Sequence, residues 1–203
     1  EEFFKKMSYE HAIEQYSNAI ELDPDYDKAY IQRALTYTKL EDYENAAADF
    51  DRAIVFNEKE AELYYFSGMA YHYQGINDVA YTRLSSAIEG KRNFLEAYQV
   101  RSEVLMDLER YQEALDDCLE CLKIREDERS YYNLARVYEK LEMYTEAEDA
   151  YRKSIERNGR VIDAQFDLAD LLYRQDKYDD SYSSVEQVLQ LDPEHLEGLI
   201  LQS

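Results

Sequence analysis

One spacing recurs along this chain and limits what it can fold into. An aromatic residue is followed by a small residue three positions on, an apolar or aromatic residue four after that, and another small residue three further. The first small residue of the pattern lies at Ala12, Ala46, Ala80, Ala114, Ala147 and Ser181. Successive members are 34 residues apart, except for one step of 33 between Ala114 and Ala147. A fixed period of this length indicates a solenoid of stacked units.

The composition predicts that these units are helical. The 203 residues include only five Gly and two Pro, which leaves few places for hairpin turns between strands. Residues of high helix propensity occur throughout, and no Ser-, Gly- or Pro-rich linker divides the chain. We therefore expect one continuous all-α array over residues 1–203.

Within a unit, the pattern predicts two helices that face each other. Tyr30, Ala34 and Tyr37 are spaced i, i+4 and i+7, which places them on one helical face. The polar pair Glu41 and Asp42 then precedes a second apolar stripe, which consists of Tyr43, Ala46, Phe50, Ala53 and Ile54. On this register we expect helical hairpins near residues 26–57, 60–90, 94–124, 128–157 and 161–190.

Small residues recur at one place in the first helix of each unit, where two helix backbones can approach closely. They are Ala34, Gly68, Ser102, Ala135 and Ala169.

The pattern resembles that of the tetratricopeptide repeat (TPR) family, whose unit is a 34-residue helix-turn-helix. The third unit carries the resemblance at Tyr64, Gly68, Tyr71, Ala80, Leu84 and Ala87, and the fifth at Tyr131, Leu134, Ala135, Tyr138, Ala147 and Tyr151. Pro24 and Pro193 stand where the family has its inter-repeat proline. The resemblance implies an all-α fold, a right-handed α-solenoid superhelix of stacked helix-turn-helix hairpins.

The chain departs from the family pattern at several positions. Four of the inter-repeat prolines are replaced, by Glu58, Arg92, Glu126 and Gly159. Arg33 and Arg101 stand where the family usually has an aliphatic residue, so the sequence does not predict how the side chains pack at these two positions.

The same register sets the predicted repeat boundaries, at about 26–58, 60–92, 94–126, 128–159 and 161–193. Residues 1–24 are expected to form a partial repeat, in which residues 8–22 are its second helix and only Phe3 and Phe4 remain of its first. Residues 194–203 are expected to begin a seventh. Both ends look cut, so the apolar residues there are expected to contact further chain or a second copy. Those residues are Phe3, Phe4, Leu199, Ile200 and Leu201.

Charge restricts the partners that the chain can bind. The 45 Asp and Glu residues against 23 Lys and Arg give a net charge of −22, which repels phosphate backbones and anionic lipids. We therefore expect no nucleic-acid and no membrane partner. No stretch approaches about 18 apolar residues, and no targeting segment is visible, so the expected location is cytoplasmic.

The sequence offers no visible parts for catalysis or metal binding. Cys118 and Cys121 have a CxxC spacing, but they fall on the buried stripe of a helix and no second pair completes a zinc site. His11, His72 and His195 lie far apart, and the acidic runs lack the spacing of a calcium loop. We expect no cofactor, no metal and no enzymatic activity.

The resemblance implies a concave wall lined by the first helix of each hairpin. Its predicted binding residues are Lys28, Ile31, Leu35, Tyr65, Met69, His72, Tyr73, Gln99, Arg129, Tyr132, Asn133, Arg136, Lys140 and Phe166. Arg129, Asn133 and Arg136 occupy places like those of the family's clamp for acidic C-terminal peptides. The next unit has Asp163 and Asp167 in place of cations, so the clamp is incomplete and no such peptide is predicted.

Two groups on that wall differ from an ordinary solvated helix face. Tyr65, Met69, His72 and Tyr73 form an aromatic patch, and such patches are common in peptide grooves. Arg129, Arg136 and Lys140 form a cationic spot suited to a carboxylate or phosphate.

These groups favour an interaction scaffold that binds a peptide or helix of another protein, possibly one of mixed charge. Three alternatives stay open: that the two groups pack on neighbouring helices, that the chain is the TPR segment of a larger enzyme or regulator, and that its ends self-associate.

Overall fold

A computed structural model of the chain describes residues 2–159 and 162–194, and the side chains within residues 7–159 and 162–194. All regular elements in these ranges are α-helices. They are α1 (Glu2–Leu22), α2 (Asp27–Lys39), α3 (Tyr43–Phe56), α4 (Ala61–Tyr73), α5 (Asn77–Gly90), α6 (Leu95–Asp107), α7 (Tyr111–Ile124), α8 (Glu128–Lys140), α9 (Tyr144–Arg157), α10 (Ile162–Arg174) and α11 (Tyr178–Leu191). None of these helices is long and apolar enough to cross a membrane.

One type of turn recurs between the helices. After α2, the backbone N–H of Asp42 donates to the carbonyl of Tyr37 at 3.0 Å, and Glu41 between them has a φ of 59°. A left-handed residue with this hydrogen bond is the Schellman ending of a helix. Equivalent left-handed residues follow α4, α6, α8 and α10, at Gly75, Glu109, Glu142 and Asp176. The turns hold each pair of helices at a constant register.

The amino-terminal helix is longer than predicted. A separate first helix was expected before residue 8, but α1 runs without a break from Glu2 to Leu22. The segment before Tyr9 contains no Gly, Pro or turn-forming residue pair, so nothing ends the helix there. The side chains of Phe3 and Phe4, and residues 195–203 with the predicted seventh repeat, lie outside the described part of the chain.

The described chain divides into two compact units, Glu1–Leu108 and Glu109–Ser203. In the first unit, Phe50 and Leu84 are fully buried and pack among alanines of α3 and α5. The predicted aliphatic position in α2 holds Arg33, whose Nε and Nη2 donate to the Asp49 carboxylate at 2.7 and 2.8 Å. Its Nη1 donates to the Ser17 hydroxyl at 2.9 Å, so a charge-assisted contact joins α1, α2 and α3.

The second unit has its core among α7, α8, α9, α10 and α11. Tyr151 is fully buried between helices, and the Ser181 hydroxyl donates to the Ala169 carbonyl at 2.8 Å. Ala135 and Ala169, two of the predicted small residues, are completely inaccessible to solvent, as is Ala34 in the first unit. Their small side chains let α8 and α10 lie close to their neighbours. One continuous array and a right-handed superhelix stay predictions.

Candidate protein-binding site

The aromatic patch lies on α4, and its outermost member is Tyr73. The Tyr73 ring is 59% exposed and stacks on the Tyr43 ring of α3, with 4.6 Å between the ring centroids. A stacked pair holds both rings in a fixed orientation, so little side-chain entropy is lost when a ligand covers them. This pair therefore gives the patch a rigid and accessible aromatic surface.

The other rings of the patch are anchored more deeply. Tyr65 is half-buried, and its ring lies 5.0 Å from that of Phe94 and 5.2 Å from that of Phe66. His72 places its Nδ1 at 3.1 Å from the Asn77 side-chain oxygen and 3.6 Å from an Asp107 carboxylate oxygen. Tyr65 is thus part of the local core, whereas His72 sits at a polar edge of the patch.

Sequence reasoning placed Tyr43 on the core stripe and missed its role in the patch. Its ring is half-buried and forms the support for Tyr73. The repeat offers a signal, because Tyr43, the first residue of α3, lies beside Tyr73, the last residue of α4. Asn77 and Asp107 repeat this pairing one unit later, with 3.3 Å between the Asn77 amide nitrogen and a carboxylate oxygen.

The predicted residues on α2 differ among themselves. Lys28 is exposed, whereas Ile31 and Leu35 are half-buried and pack against the core of the first unit. Their exposed edges give α2 an aliphatic surface with a cation at its amino-terminal end.

Two of the predicted binding residues are buried, so they do not lie on an open face of their helices. Gln99 is 3% exposed and Asn133 is 6% exposed. The prediction of binding residues assumed that each first helix has one face open to solvent. Three consecutive residues of α8 are nevertheless all buried, namely Asn133, Leu134 and Ala135. Three consecutive residues span about 200° around a helix axis, so more than half of the circumference of α8 is covered there. Helices packed on two or three sides leave a narrower open face than the pattern implied.

The cationic spot lies on α8 in the second unit. Arg129, Arg136 and Lys140 are all exposed, and the Arg136 guanidinium lies 5.7 Å from the centre of the Tyr132 ring. This distance is typical of a cation–π contact. The ring therefore fixes one cation of the spot in place.

Acidic residues of α10 lie next to this spot. The Tyr132 hydroxyl donates to an Asp167 carboxylate oxygen at 2.9 Å. Burial raises the pKa of Asp167, against the effects of the Tyr132 hydrogen bond and the Arg136 charge, and burial also raises the pKa of Tyr132. Phe166 lies half-buried beside Asp167 in sequence. The spot thus offers both signs of charge rather than cations alone.

A second polar network lies behind the spot. The Glu139 carboxylate accepts hydrogen bonds from the Tyr151 hydroxyl and from the Arg174 guanidinium, whose Nε also donates to Asp170 over 2.8 Å. Because these contacts join α8, α9 and α10, they fix the relative positions of the helices that carry the spot.

The cysteines lie in the core and not at a site. Cys118 and Cys121 are free thiols on α7, each 1% exposed. Burial raises the pKa of Cys121 well above that of an ordinary thiol, and the neighbouring Cys118 adds to the effect. A buried and protonated thiol is a poor nucleophile. Among the described residues, no three His, Cys, Asp or Glu side chains lie together as metal ligands would.

Stacked helical hairpins with small residues at the contacts define a helical-repeat protein, and sequence comparison gives its family. Family profiles described as TPR repeat or tetratricopeptide repeat match residues 1–41, 27–59, 94–160 and 132–195. The chain belongs to the tetratricopeptide repeat family.

Similar proteins and structures agree with this assignment. The TPR repeat-containing protein YpiA of Bacillus subtilis is 26% identical over 94% of this chain and 46% of its own length. Human serine/threonine-protein phosphatase 5 is 42% identical over 32% of this chain and 13% of its own length. The chain thus spans less than half of these curated relatives. The crystal structure of YrrB, a TPR protein with an unusual peptide-binding site, superposes with a TM-score of 0.70 at 18% identity and covers 91% of this chain and 96% of YrrB. The predicted all-α helical-hairpin solenoid is confirmed.

Proposed function

We propose that this chain is a non-catalytic interaction scaffold that binds an extended or helical segment of a partner protein. The first helices of the hairpins carry two separate candidate surfaces for such a segment, the aromatic patch in the first unit and the cationic spot in the second. The other predicted positions that remain accessible, on α2 and α10, extend these two surfaces. The solved TPR protein YrrB, which has an unusual peptide-binding site, supports this class of function.

The observation that carries the proposal is the Tyr43–Tyr73 stack. A ring that is 59% exposed and held by a second ring 4.6 Å away costs little free energy to order on binding. Rigid aromatic residues of this kind supply much of the affinity in protein interfaces. Beside Tyr73, His72 and Met69 provide a polar edge and an adaptable apolar contact for the same segment.

The cationic spot can orient a segment that binds to the second unit. Arg136 and Lys140 attract an acidic side chain or carboxylate, while Asp167 and Asp170 on α10 attract a basic one. A segment of mixed charge therefore binds in one orientation better than in the other.

A second candidate follows from the extent of the relatives. The chain covers 46% of YpiA and 13% of phosphatase 5, so the same array can be the TPR segment of a larger enzyme or regulator. In that case the scaffold positions an activity encoded elsewhere. The full gene product read beyond both ends of this chain distinguishes the two.

The scaffold proposal is tested by Tyr73→Ala, with Tyr178→Ala as a matched control. Tyr178 is 55% exposed and also contacts another ring, that of Tyr173 at 5.4 Å, so the two variants remove similar surfaces. Proteins captured on immobilised wild type are quantified by mass spectrometry. We expect Tyr73→Ala to lose partners that Tyr178→Ala retains, with unchanged helical circular dichroism in both. Tyr65→Ala is unsuitable because Tyr65 belongs to the local core.

If folded Tyr73→Ala and Arg136→Glu variants both capture the same proteins as wild type, the proposed surfaces are wrong.

A further inference from the structure

A groove in the second unit lies outside the surfaces proposed above. It has a volume of about 610 Å³ and runs between α7 and α9, with α8 as its floor. Leu119 on α7 forms one wall, Leu134 and Tyr138 on α8 form the floor, and Glu146 and Ala150 on α9 form the other wall. We refer to it as the α7–α9 groove. Its volume is within the range of ligand sites in proteins, about 300–1,000 Å³.

The corresponding place two repeats earlier is filled by an ionic network. There the Asp51 carboxylate accepts hydrogen bonds from the Ser67 hydroxyl at 2.6 Å and the Tyr71 hydroxyl at 2.8 Å. Arg83 completes the network with its Nη2 at 3.0 Å from the same carboxylate. These four side chains join α3, α4 and α5 and occupy the space between them.

In the second unit, the repeat register exchanges the charged pair for apolar residues. The residues that correspond to Asp51, Ser67, Tyr71 and Arg83 are Leu119, Leu134, Tyr138 and Ala150. Replacement of a long arginine by alanine removes the side chain that filled the space, and replacement of the acid by leucine leaves an apolar wall. The groove thus occupies the space that the Asp51–Arg83 ion pair fills two repeats earlier, and apolar side chains line it.

Tyr138 corresponds to Tyr71, but the residue that corresponds to its acceptor Asp51 is Leu119, which cannot accept a hydrogen bond. Within the described residues, the Tyr138 hydroxyl has no hydrogen-bond partner, whereas the equivalent Tyr71 donates to Asp51. Leu119 is 39% exposed, so part of its apolar surface faces solvent beside the floor of the groove. An occupant would cover this leucine and bond to the tyrosine hydroxyl.

Charge indicates the chemistry of the occupant. Glu146 is exposed at the rim and has no ion pair within the described residues, whereas the other rim acid, Asp149, binds Lys153 at 2.7 Å. A second copy of this chain is disfavoured because each copy carries a net charge of −22. A basic amphipathic segment of a partner protein would contact the apolar walls and form an ion pair with Glu146.

We propose that the α7–α9 groove is a second docking site, which binds a basic amphipathic segment of a partner protein. A large aliphatic or aromatic side chain of that segment packs between Leu119 and Ala150. A Lys or Arg within one helical turn of it pairs with Glu146. This site does not depend on the aromatic patch or the cationic spot.

A phage-displayed library of random 12-residue peptides tests the proposal, with selection on the immobilised full chain. We expect enriched peptides to carry a large apolar residue with a Lys or Arg within four positions. Synthetic copies should bind the Glu146→Lys variant at least about tenfold more weakly in fluorescence anisotropy, since the pair is replaced by like-charge repulsion. Glu186→Lys, a change of the same charge at an exposed position of α11, which does not line the groove, should leave the affinity unchanged.

A filling variant tests the volume itself. Leu119→Asp combined with Ala150→Arg restores the residues of the Asp51–Arg83 pair and should abolish binding of the selected peptides. If this double variant fails to fold, Glu146→Lys alone decides.

The proposal is overturned if no peptide is enriched, if the enriched peptides are acidic, or if they bind Glu146→Lys as tightly as wild type. Tyr73→Ala should bind the selected peptides normally. Loss of binding in that variant would assign the peptides to the aromatic patch and overturn the groove, without bearing on the scaffold proposal itself.

Discussion

Acidic residues hold a strained backbone conformation at most of the recurring turns. The φ values lie between 58° and 60° at four of these turns, at Glu41, Glu109, Glu142 and Asp176. The remaining turn, after α4, has Gly75 at the equivalent position. The left-handed conformation costs a residue with a Cβ atom about 1–2 kcal/mol, and glycine adopts it without that penalty. Each acidic turn therefore carries strain that the hydrogen bonds of the Schellman motif offset.

Replacement of one turn residue should stabilise the protein. Glu142→Gly removes the strain after α8 but increases the entropy of the unfolded chain, so we expect the free energy of unfolding to rise by about 0.5 kcal/mol. Urea denaturation followed by circular dichroism measures the change. The control Glu10→Gly, at an exposed position inside α1, should lower the same quantity by about 0.5–1 kcal/mol. A loss of stability in both variants would contradict the assignment of strain to the turn.

The sequence identifies unusual residues more readily than their partners. Arg33 stood out because an aliphatic residue was expected, but its partners Ser17 and Asp49 lie on different helices, sixteen residues away in either direction. Gln99 and Asn133 show the same limit, since both were predicted binding residues and helix packing buries both. The candidate surfaces were predictable where exposure follows from the repeat register, as for Tyr73, and not where it depends on a third helix.

At the scale of helices, α4 and α5 approach each other closely at Gly68. A Cβ atom on Gly68 would lie 2.8 Å from Leu84 Cγ and 3.2 Å from the Ala80 carbonyl oxygen. Real Cβ atoms essentially never come within 3.0 Å of another heavy atom. The absence of a side chain at residue 68 therefore sets how near these two helices lie, as the run of small residues predicted.

Gly68→Ala should loosen this contact. We expect it to lower the free energy of unfolding by about 1–2 kcal/mol, although alanine favours the helix by about 1 kcal/mol over glycine, because the overpacked methyl group displaces Leu84. A double-mutant cycle in urea supplies the control: in a Leu84→Ala background, the cost of Gly68→Ala should shrink or change sign. An equal cost in both backgrounds would mean that Leu84 is not the group displaced.

Helix positions were the most predictable feature, and the reason is physical. The predicted hairpins coincide with the observed helices to within about one residue or two, as in α4, Ala61–Tyr73, and α5, Asn77–Gly90. Buried stripes and turns recur with one period, so an error in one unit is corrected by the others. The first helix had no preceding unit to set its register, and it was the one predicted wrongly.

For the molecule as a whole, the main electrostatic feature is the excess of acidic over basic residues. The chain has 45 acidic and 23 basic residues, and many of the described ion pairs, such as Lys123 with Glu120, lie at the surface. Surface pairs contribute little to stability, about 0–1 kcal/mol each, and the excess of negative charge repels itself. Folding brings these charges together, so the net electrostatic effect opposes the compact state.

Added salt should therefore stabilise the fold. We expect the melting temperature to rise by at least about 2 °C between 20 and 150 mM sodium chloride, which corresponds to roughly 1 kcal/mol for a protein of this size. Differential scanning calorimetry measures the shift, and 20 mM buffer with an uncharged osmolyte of equal osmolarity is the control. A fall in melting temperature with salt would show that attractive ion pairs outweigh the repulsion.

The recurring Schellman turn also bears on how arrays of this kind change in length. Glu142 and Asp176 occupy the same backbone conformation, and each of these two turns is closed by hydrogen bonds to the helix directly before it. Recombination between the codons of two such residues joins one helix ending to an identical one. A unit can then be duplicated or excised in evolution, or in the laboratory, without a newly designed loop at the junction.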